Sequence, residues 1–217
     1  MLYLISTPIG NLADFSHRAV SVIHACEYLL SEDTRRTRIL LNHYDLKTPL
    51  KSYHLLNEKK RIQGIIDDLI SGKILGLVSD AGTPGIADPG KFLVQACLEH
   101  QIEMRAIPGA NAALSALILS GFTTERFQFI GFLPKKKKKR KELFSECLDY
   151  PGTTICYESP FRIGKALADF SEIDNQKKIF IARELTKKFE THYRGTVKEL
   201  AAFFDTKPPR GEMVLVF

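Results

Sequence analysis

The sequence predicts a two-domain α/β protein, with a mostly parallel sheet in its N-terminal half, a mixed sheet in its C-terminal half and a ligand cleft between them. Three observations carry this. Through the first half, short apolar runs alternate with amphipathic helical patterns, the signature of β/α units around a parallel sheet. In the second half the later strand candidates follow one another with only a shorter helix between, which a purely parallel sheet does not allow. Directly after the strand candidates stand loops rich in Gly, Pro, Asp and Arg, where open α/β sheets bind ligands. Clefts between domains are preferred ligand sites.

The first-half strands are expected at Leu2–Ser6, Tyr28–Leu30, Leu75–Ser79 and Met104–Ile107. Phe15, Ala19, Val22, Ile23 and Cys26 form one helical stripe, and Ile62, Ile65, Ile66, Leu69 and Ile70 form another that ends near Gly72. An Ala- and Leu-rich helix opened by Pro108 and Gly109 runs to Leu119 and stops at Gly121, so the domains are divided as residues 1–121 and 122–217. The second domain has strand candidates Phe127–Phe132, Thr153–Tyr157, Ile179–Ala182, Glu190–Arg194 and Met213–Phe217. Helical stripes fall at Leu143, Phe144, Cys147 and Leu148, and at Ile163, Ala166, Leu167 and Phe170.

At 217 residues, 44% hydrophobic and 26% charged, the composition is globular. No stretch approaches the roughly 20 apolar residues that cross a bilayer, and the chain starts on a strand-like run without a basic leader, so a cytoplasmic protein is expected. Cys26, Cys97, Cys147 and Cys156 are widely spaced among mostly apolar neighbours, as reduced core thiols are, and no metal site is expected. The net charge of +6 is local: Lys135–Lys141 is an unbroken run of seven cations, and without it acidic residues outnumber basic ones by one. As a loop between Pro134 and the helix carrying Leu143 and Phe144, the run is either a solvated segment or a phosphate-binding patch.

Two familiar signatures fail. Gly85–Lys91 resembles part of a P-loop, but Phe92 stands where a Ser or Thr would ligate magnesium, and Pro89 removes a backbone N–H. The first β/α turn has one glycine, Gly10, of the three in a dinucleotide fingerprint. The loops after the strands remain: Pro8–Leu12, Ser31–Arg36, Ser79–Gly90, Pro108–Ala112, Gly131–Pro134, Tyr157–Arg162 and Arg183–Lys187. In them stand S-T-P-I-G-N-L (Ser6–Leu12), S-E-D-T-R-R-T (Ser31–Thr37), V-S-D-A-G-T-P-G-I-A-D-P-G (Val78–Gly90), I-P-G-A-N-A (Ile107–Ala112), G-F-L-P (Gly131–Pro134), Y-E-S-P-F-R (Tyr157–Arg162) and A-R-E-L-T-K (Ala182–Lys187).

Together these strings resemble the bacterial small-subunit ribosomal RNA methyltransferase I family of the tetrapyrrole-methylase superfamily, in order and over essentially the whole chain. The resemblance implies a two-domain tetrapyrrole-methylase-like fold, a homodimer, S-adenosylmethionine held between the domains without metal, and 2′-O-methylation of a cytidine in the decoding region of 16S rRNA. Matched loop to loop, it places cofactor contacts at Ile9, Ser79, Asp80, Ala81, Thr83, Asn111, Ala112, Glu158 and Leu185. Longer members continue past the position of Phe217 into a small extra region, which bears on ribosome docking.

A ribose hydroxyl must lose its proton during or just after attack, so a base or cation is expected beside it. Glu184 and Lys187 after one strand candidate, and Asp33 and Arg35 after another, are the candidates. Glu184 could accept the proton, Lys187 or Arg35 could orient a flanking phosphate, and Asp33 could orient Arg35. Structural ion pairs would use the same residues. A tetrapyrrole precursor as acceptor, or a non-catalytic ribosome-binding module, are the competing functions.

Overall fold

The computed structural model describes residues 1–207 and 209–217, which form two compact units, Met1–Asn111 and Ala112–Phe217. The first unit holds β1 (Leu2–Ile5), α1 (His17–Ala25), β2 (Tyr28–Ser31), α2 (Thr34–His43), β3 (Leu50–Ser52), α3 (Glu58–Ile70), β4 (Leu75–Val78), α4 (Lys91–Glu99) and β5 (Met104–Ile107). All strand pairs are parallel, in the order β3-β2-β4-β1-β5. β2 and β4 are buried at every position because helices cover both faces. On one face Ile5, Leu29 and Val78 pack with Ile23 of α1 and Leu41 of α2. On the other, Leu2, Leu30 and Leu77 pack with Ile66 of α3 and Leu93 of α4. The connections leaving the neighbouring strands β1 and β4 therefore go to opposite faces, and their C-terminal ends form the switch point at which such sheets bind ligands.

The second unit holds α5 (Ala112–Ser120), β6 (Phe127–Phe132), α6 (Lys137–Asp149), β7 (Thr153–Glu158), α7 (Ile163–Ser171), β8 (Lys178–Arg183), β9 (Thr191–Thr196), α8 (Val197–Thr206) and β10 (Met213–Val216). Its sheet is mixed, in the order β6-β7-β10-β8-β9: β6 and β7 are parallel, and the remaining pairs are antiparallel. The core is aromatic. Phe144 of α6 stacks on Phe170 of α7 at 4.2 Å between ring centres, and Phe217 meets both rings edge-on.

Most expected elements are present, and three differences are physical. Helix α5 packs on β7, β8 and β10, so it belongs with the second sheet, and the first unit ends at Asn111 rather than at Gly121. Strand β3 was not expected, because a three-residue edge strand, Leu-Lys-Ser, carries no alternation long enough to detect. Ile70 is exposed although it continues the α3 stripe, since it is the last helical residue before the Ser71–Gly72 stop.

The lysine run is not a loop. Lys137 opens α6, so five of the seven cations are helical. Arg140 is buried: its Nε donates to Asp169 Oδ2 at 2.8 Å, and its Nη1 donates to the carbonyls of Pro134 at 2.9 Å and Lys135 at 3.2 Å. Lys137 and Lys141 pair with Glu172 of the α7 C-terminus at 2.7 and 3.0 Å. Three of the seven cations thus fasten α6 to α7. The four cysteines are free and buried, with burial pushing Cys26 up to about 12 and Cys97 to about 11. Among the described residues no helix is long and apolar enough to cross a membrane.

Removing one partner of a buried ion pair strands the other. Arg140→Ala is therefore expected to cost about 3–5 kcal/mol of unfolding free energy, whereas neutralising Lys135, Lys136, Lys138 and Lys139 together should shift it by no more than about 0.5 kcal/mol per site. Urea unfolding of the two variants measures the difference.

Candidate functional site

In the first unit the loops after β1, β4 and β5 are knitted together. Thr7 and Gly82 exchange backbone hydrogen bonds, Thr7 N donating to Gly82 O at 2.8 Å and Gly82 N to Thr7 O at 3.0 Å. Thr7 Oγ1 donates to Ser79 O at 3.1 Å, Ser79 Oγ donates to Gly82 O at 3.0 Å, and the hydroxyls of Ser6 and Thr83 lie 3.1 Å apart. Gly82 has φ +85°, a conformation L side chains avoid, and an added Cβ would stand 3.4 Å from Ile9 Cγ2 and 3.5 Å from Ala110 O. Gly109 is placed by packing: a Cβ there would meet Ser6 Cβ at 2.8 Å. Ile9, Ser79, Asp80, Ala81 and Thr83 are thus brought into one backbone-rich cradle, with Ala110 beside it and Asn111 next along the chain.

The loop after β2 joins this cradle through Asp80, whose Oδ1 accepts the Asp33 N–H at 2.9 Å. Asp33 caps α2 by accepting the Arg35 N–H at 2.9 Å, and its carboxylate also takes a two-pronged hydrogen bond from the Arg35 guanidinium at 3.0 and 2.8 Å. Hydrogen bonds from the Arg35 side chain and backbone hold the Asp33 carboxyl at about 2. Arg36 lies 3.7 Å from Asp80.

One titratable group here carries no sequence signal beyond its place in the Val78–Gly90 string. Asp88 has its carboxyl pushed up to about 7, first by burial and then by the charges of Glu32 and Asp80. Glu32 is also raised, by burial and by Asp80, against the opposing pull of His54 and Arg36. Asp88 follows Ala87, a non-glycine at φ 63°, in a turn closed by Gly90. No spacing rule finds such a residue, because its chemistry comes from which carboxylates the folded loops bring near it.

In the second unit β7 and β8 both run antiparallel to β10, and Met213 faces Glu158 on one side and Arg183 on the other. The loops holding Glu158 and Leu185 therefore sit at the same end of this sheet, beside the Gly131–Pro134 loop after the parallel strand β6. Glu158 is 2% exposed; its carboxylate accepts the Ser159 N–H at 2.6 Å and Arg162 Nη2 at 2.8 Å. Burial raises it, against the pull of those two donors. Its side chain is thus committed to shaping its own turn. Leu185 is buried. Ala112 opens α5.

The Arg183–Lys187 turn is strained. Glu184 at φ 54° and Thr186 at φ 65° are both left-handed non-glycines, a conformation that persists only where the surroundings enforce it. Here Glu184 N donates to Glu212 O and Lys187 N to Glu184 O, at 2.9 and 3.0 Å. Glu184 Oε1 accepts the Glu212 N–H and Lys187 Nζ, both at 2.9 Å, while Lys187 also reaches Glu212 Oε2 at 2.9 Å. Burial raises the Glu184 carboxyl, but the Glu212 amide and Lys187 outweigh it and leave the group below its ordinary range. Gly211 permits this, since a Cβ there would lie 2.5 Å from the Glu184 carboxylate. A groove of 490 Å³ lined by Ser120, Phe180, Arg194 and neighbours lies at the opposite end of the sheet, by the start of β8, away from all of these loops.

Residues 1–201 match the family model for Tetrapyrrole (Corrin/Porphyrin) Methylases. The chain is 46% identical to the ribosomal RNA small subunit methyltransferase I of Halalkalibacterium halodurans, covering 99% of this chain and 74% of the relative. It is 42% identical to the protein of that name from Thermotoga maritima, covering 99% of this chain and 96% of the relative. Among solved structures it resembles a cobalt precorrin-4 methyltransferase of cobalamin biosynthesis (TM-score 0.70, 15% identity, 99% of this chain and 93% of that one). It also resembles the Thermus thermophilus uroporphyrin-III C-methyltransferase complexed with S-adenosyl homocysteine (TM-score 0.67, 12% identity, 99% and 96%). The chain is a methyltransferase and belongs, within the tetrapyrrole methylases, to the ribosomal RNA small subunit methyltransferase I family.

Proposed function

We infer that the protein transfers the methyl group of S-adenosylmethionine to the 2′-hydroxyl of a cytidine ribose in the decoding region of 16S rRNA, acting as a cytoplasmic homodimer without metal. The observation that carries the cofactor assignment is the cradle at the β1/β4 switch point, where Gly82 keeps main-chain groups open beside Ile9 and Ala110. Ser79, Asp80, Ala81, Thr83 and Asn111 would hold the cofactor there, with Ala112, Glu158 and Leu185 contributed by the second unit. Bound, the cofactor supplies an electrophilic methyl group on a sulfonium centre. The RNA assignment is supported by the names of the relatives and by the cations at the start of α6. Exposed Ile118 and Leu119 on α5 suit a surface covered by a second copy.

The chain's own residues then have two tasks: to hold the acceptor oxygen in line and to take its proton. Arg35, oriented by Asp33, and Lys187 are suited to the phosphates beside the target ribose. Asp33 and Glu184 are both held as ionised, weakly basic carboxylates, so Glu184 fits the role of fixing its turn and Lys187. Asp88, titrating near neutrality, is the better matched base, since a catalytic group works best with a pKa close to the working pH.

Methyl-labelled S-adenosylmethionine incubated with under-methylated small ribosomal subunits should place label on one cytidine ribose; label absent from RNA but accepted by a porphyrinogen would replace this reading with a tetrapyrrole acceptor. In calorimetry, cofactor binding should persist in a chelator, and Asp80→Ala should weaken it by about 1–3 kcal/mol for one lost charge-assisted bond. Unchanged affinity would restrict Asp80 to holding the Asp33 amide.

Asp88→Asn should lower the transfer rate by about 10²–10⁴-fold and abolish its rise through pH 7, while Glu184→Gln should lose less than about tenfold. Stability gives a second check. The folded Asp88 carboxyl at about 7 lies above the ordinary value of 3.8, so the unfolded chain releases this proton first. Its contribution to stability therefore falls as pH rises from about 4 to about 7, and the loss is complete above that. Asp88→Asn should accordingly melt higher than the native protein at pH 8, with the two converging below pH 4.

A further inference from the structure

Two phenylalanines stand in solvent near exposed cations. Phe161 is 90% exposed and Phe132 57%, whereas Phe144, Phe170 and Phe180 are fully buried. Neither exposed ring sits on a loose segment. Phe132 is the last residue of β6, opposite Tyr157 of β7, with their rings 5.5 Å apart. Phe161 lies in the turn before α7, where its N–H donates to Ser159 Oγ at 3.3 Å and the flanking Arg162 N–H to Ser159 O at 3.0 Å. Arg162 Nη2 reaches across to Leu133 O at 2.5 Å, tying the Phe161 turn to the segment that continues into the lysine run.

The structure divides that run in two. Arg140, Lys137 and Lys141 are engaged with α7. Lys135, Lys136, Lys138 and Lys139 are exposed, and among the described residues none but Lys138, 4.0 Å from Glu142, has a carboxylate at ion-pair distance. The segments Phe132 to Lys139 and Ser159 to Arg162, joined through Arg162, therefore carry two exposed aromatic rings and four exposed cations.

We propose that these segments bind a single-stranded stretch of the RNA substrate, with unstacked bases lying on Phe161 and Phe132 and phosphates on Lys135, Lys136, Lys138 and Lys139. A duplex offers cations its phosphates but hides its base faces, whereas a single strand satisfies both features at once. The cations distinguish an RNA occupant from a second copy of this chain, which would bring the same four positive charges on its own copy of the segments. The inference rests on the RNA acceptor proposed above and adds where, and in what form, the strand is held.

Binding and methylation of under-methylated small subunits by the native protein, Phe161→Ala, Phe161→Trp and the quadruple variant with glutamine at the four lysines test it. Calorimetry of S-adenosylhomocysteine and sedimentation of each variant accompany the assay. Phe161→Ala should lose about tenfold in subunit affinity with its salt dependence unchanged, and Phe161→Trp should retain it. The quadruple variant should flatten the slope of log affinity against log salt by about 3. All should bind S-adenosylhomocysteine as the native protein does. Single-stranded oligoribonucleotide should compete with the subunit more strongly than the same strand in a duplex, which offers only its phosphates. Phe161→Ala binding like the native protein, a duplex competing equally, or a dimer that dissociates on losing Phe161 would each overturn the proposal. Failure of the native protein to methylate or bind the subunit would instead remove the RNA acceptor itself.

Discussion

The reciprocal backbone pair between Thr7 and Gly82 is the constraint on which the rest of the first unit's site depends. It joins the ends of two parallel strands after their ladder has finished and just where their chains depart to opposite faces of the sheet. Once Gly82 is fixed in a left-handed conformation, Ser79 and Thr83 are held by Thr7 and Ser6, and Asp80 is directed toward the Asp33 amide. The loop after β2 is then registered against the loop after β4. A side chain at position 82 would demand a strained conformation in contact with Ile9 and Ala110; Gly85, at φ +82°, carries the same backbone demand but has open space around it.

The same loops sort carboxylates by environment. Asp33 is doubly engaged by Arg35, so it stays ionised well into acid. Asp88, partly desolvated and facing Glu32 and Asp80, keeps its proton to about neutrality. In the second unit Glu184 has a cation and an amide on one oxygen, and remains low despite partial burial. Environments that push titratable groups apart are how a single fold separates a base from anchoring charges.

The fold was largely legible because it rests on period and punctuation. The strands of the parallel sheet are short apolar runs ending at Pro-, Gly- or Asp-rich loops, and α1, α3, α6 and α7 each show one apolar stripe. What escaped was set by tertiary contact. Helix α5 is apolar around most of its surface, so its pattern does not say which sheet it covers, and only its packing on β7, β8 and β10 decides. The lysine run looked uniform, yet Arg140 is the member that reaches Asp169, 29 residues away, and a pairing at that distance leaves no local mark. The cradle residues were named by ordered strings matched to a family, while the raised carboxyl of Asp88 depends on burial, on Asp80 of its own loop and on Glu32 of the loop after β2. Glu158, where the family strings place a cofactor contact, stands at the end of β7 with its carboxylate engaged inside its own turn.

The protein shares its fold with a cobalt precorrin-4 methyltransferase and a uroporphyrin-III C-methyltransferase, and the cradle around Gly82 is where the proposed cofactor would sit. Hydrogen exchange with and without S-adenosylhomocysteine tests that placement most directly. Slowed exchange of amides in residues 6–9 and 79–83, centred on the Thr7–Gly82 pair, is the predicted result. Tight binding that leaves those amides unchanged, with protection confined to segments such as the groove by the start of β8, would contradict it.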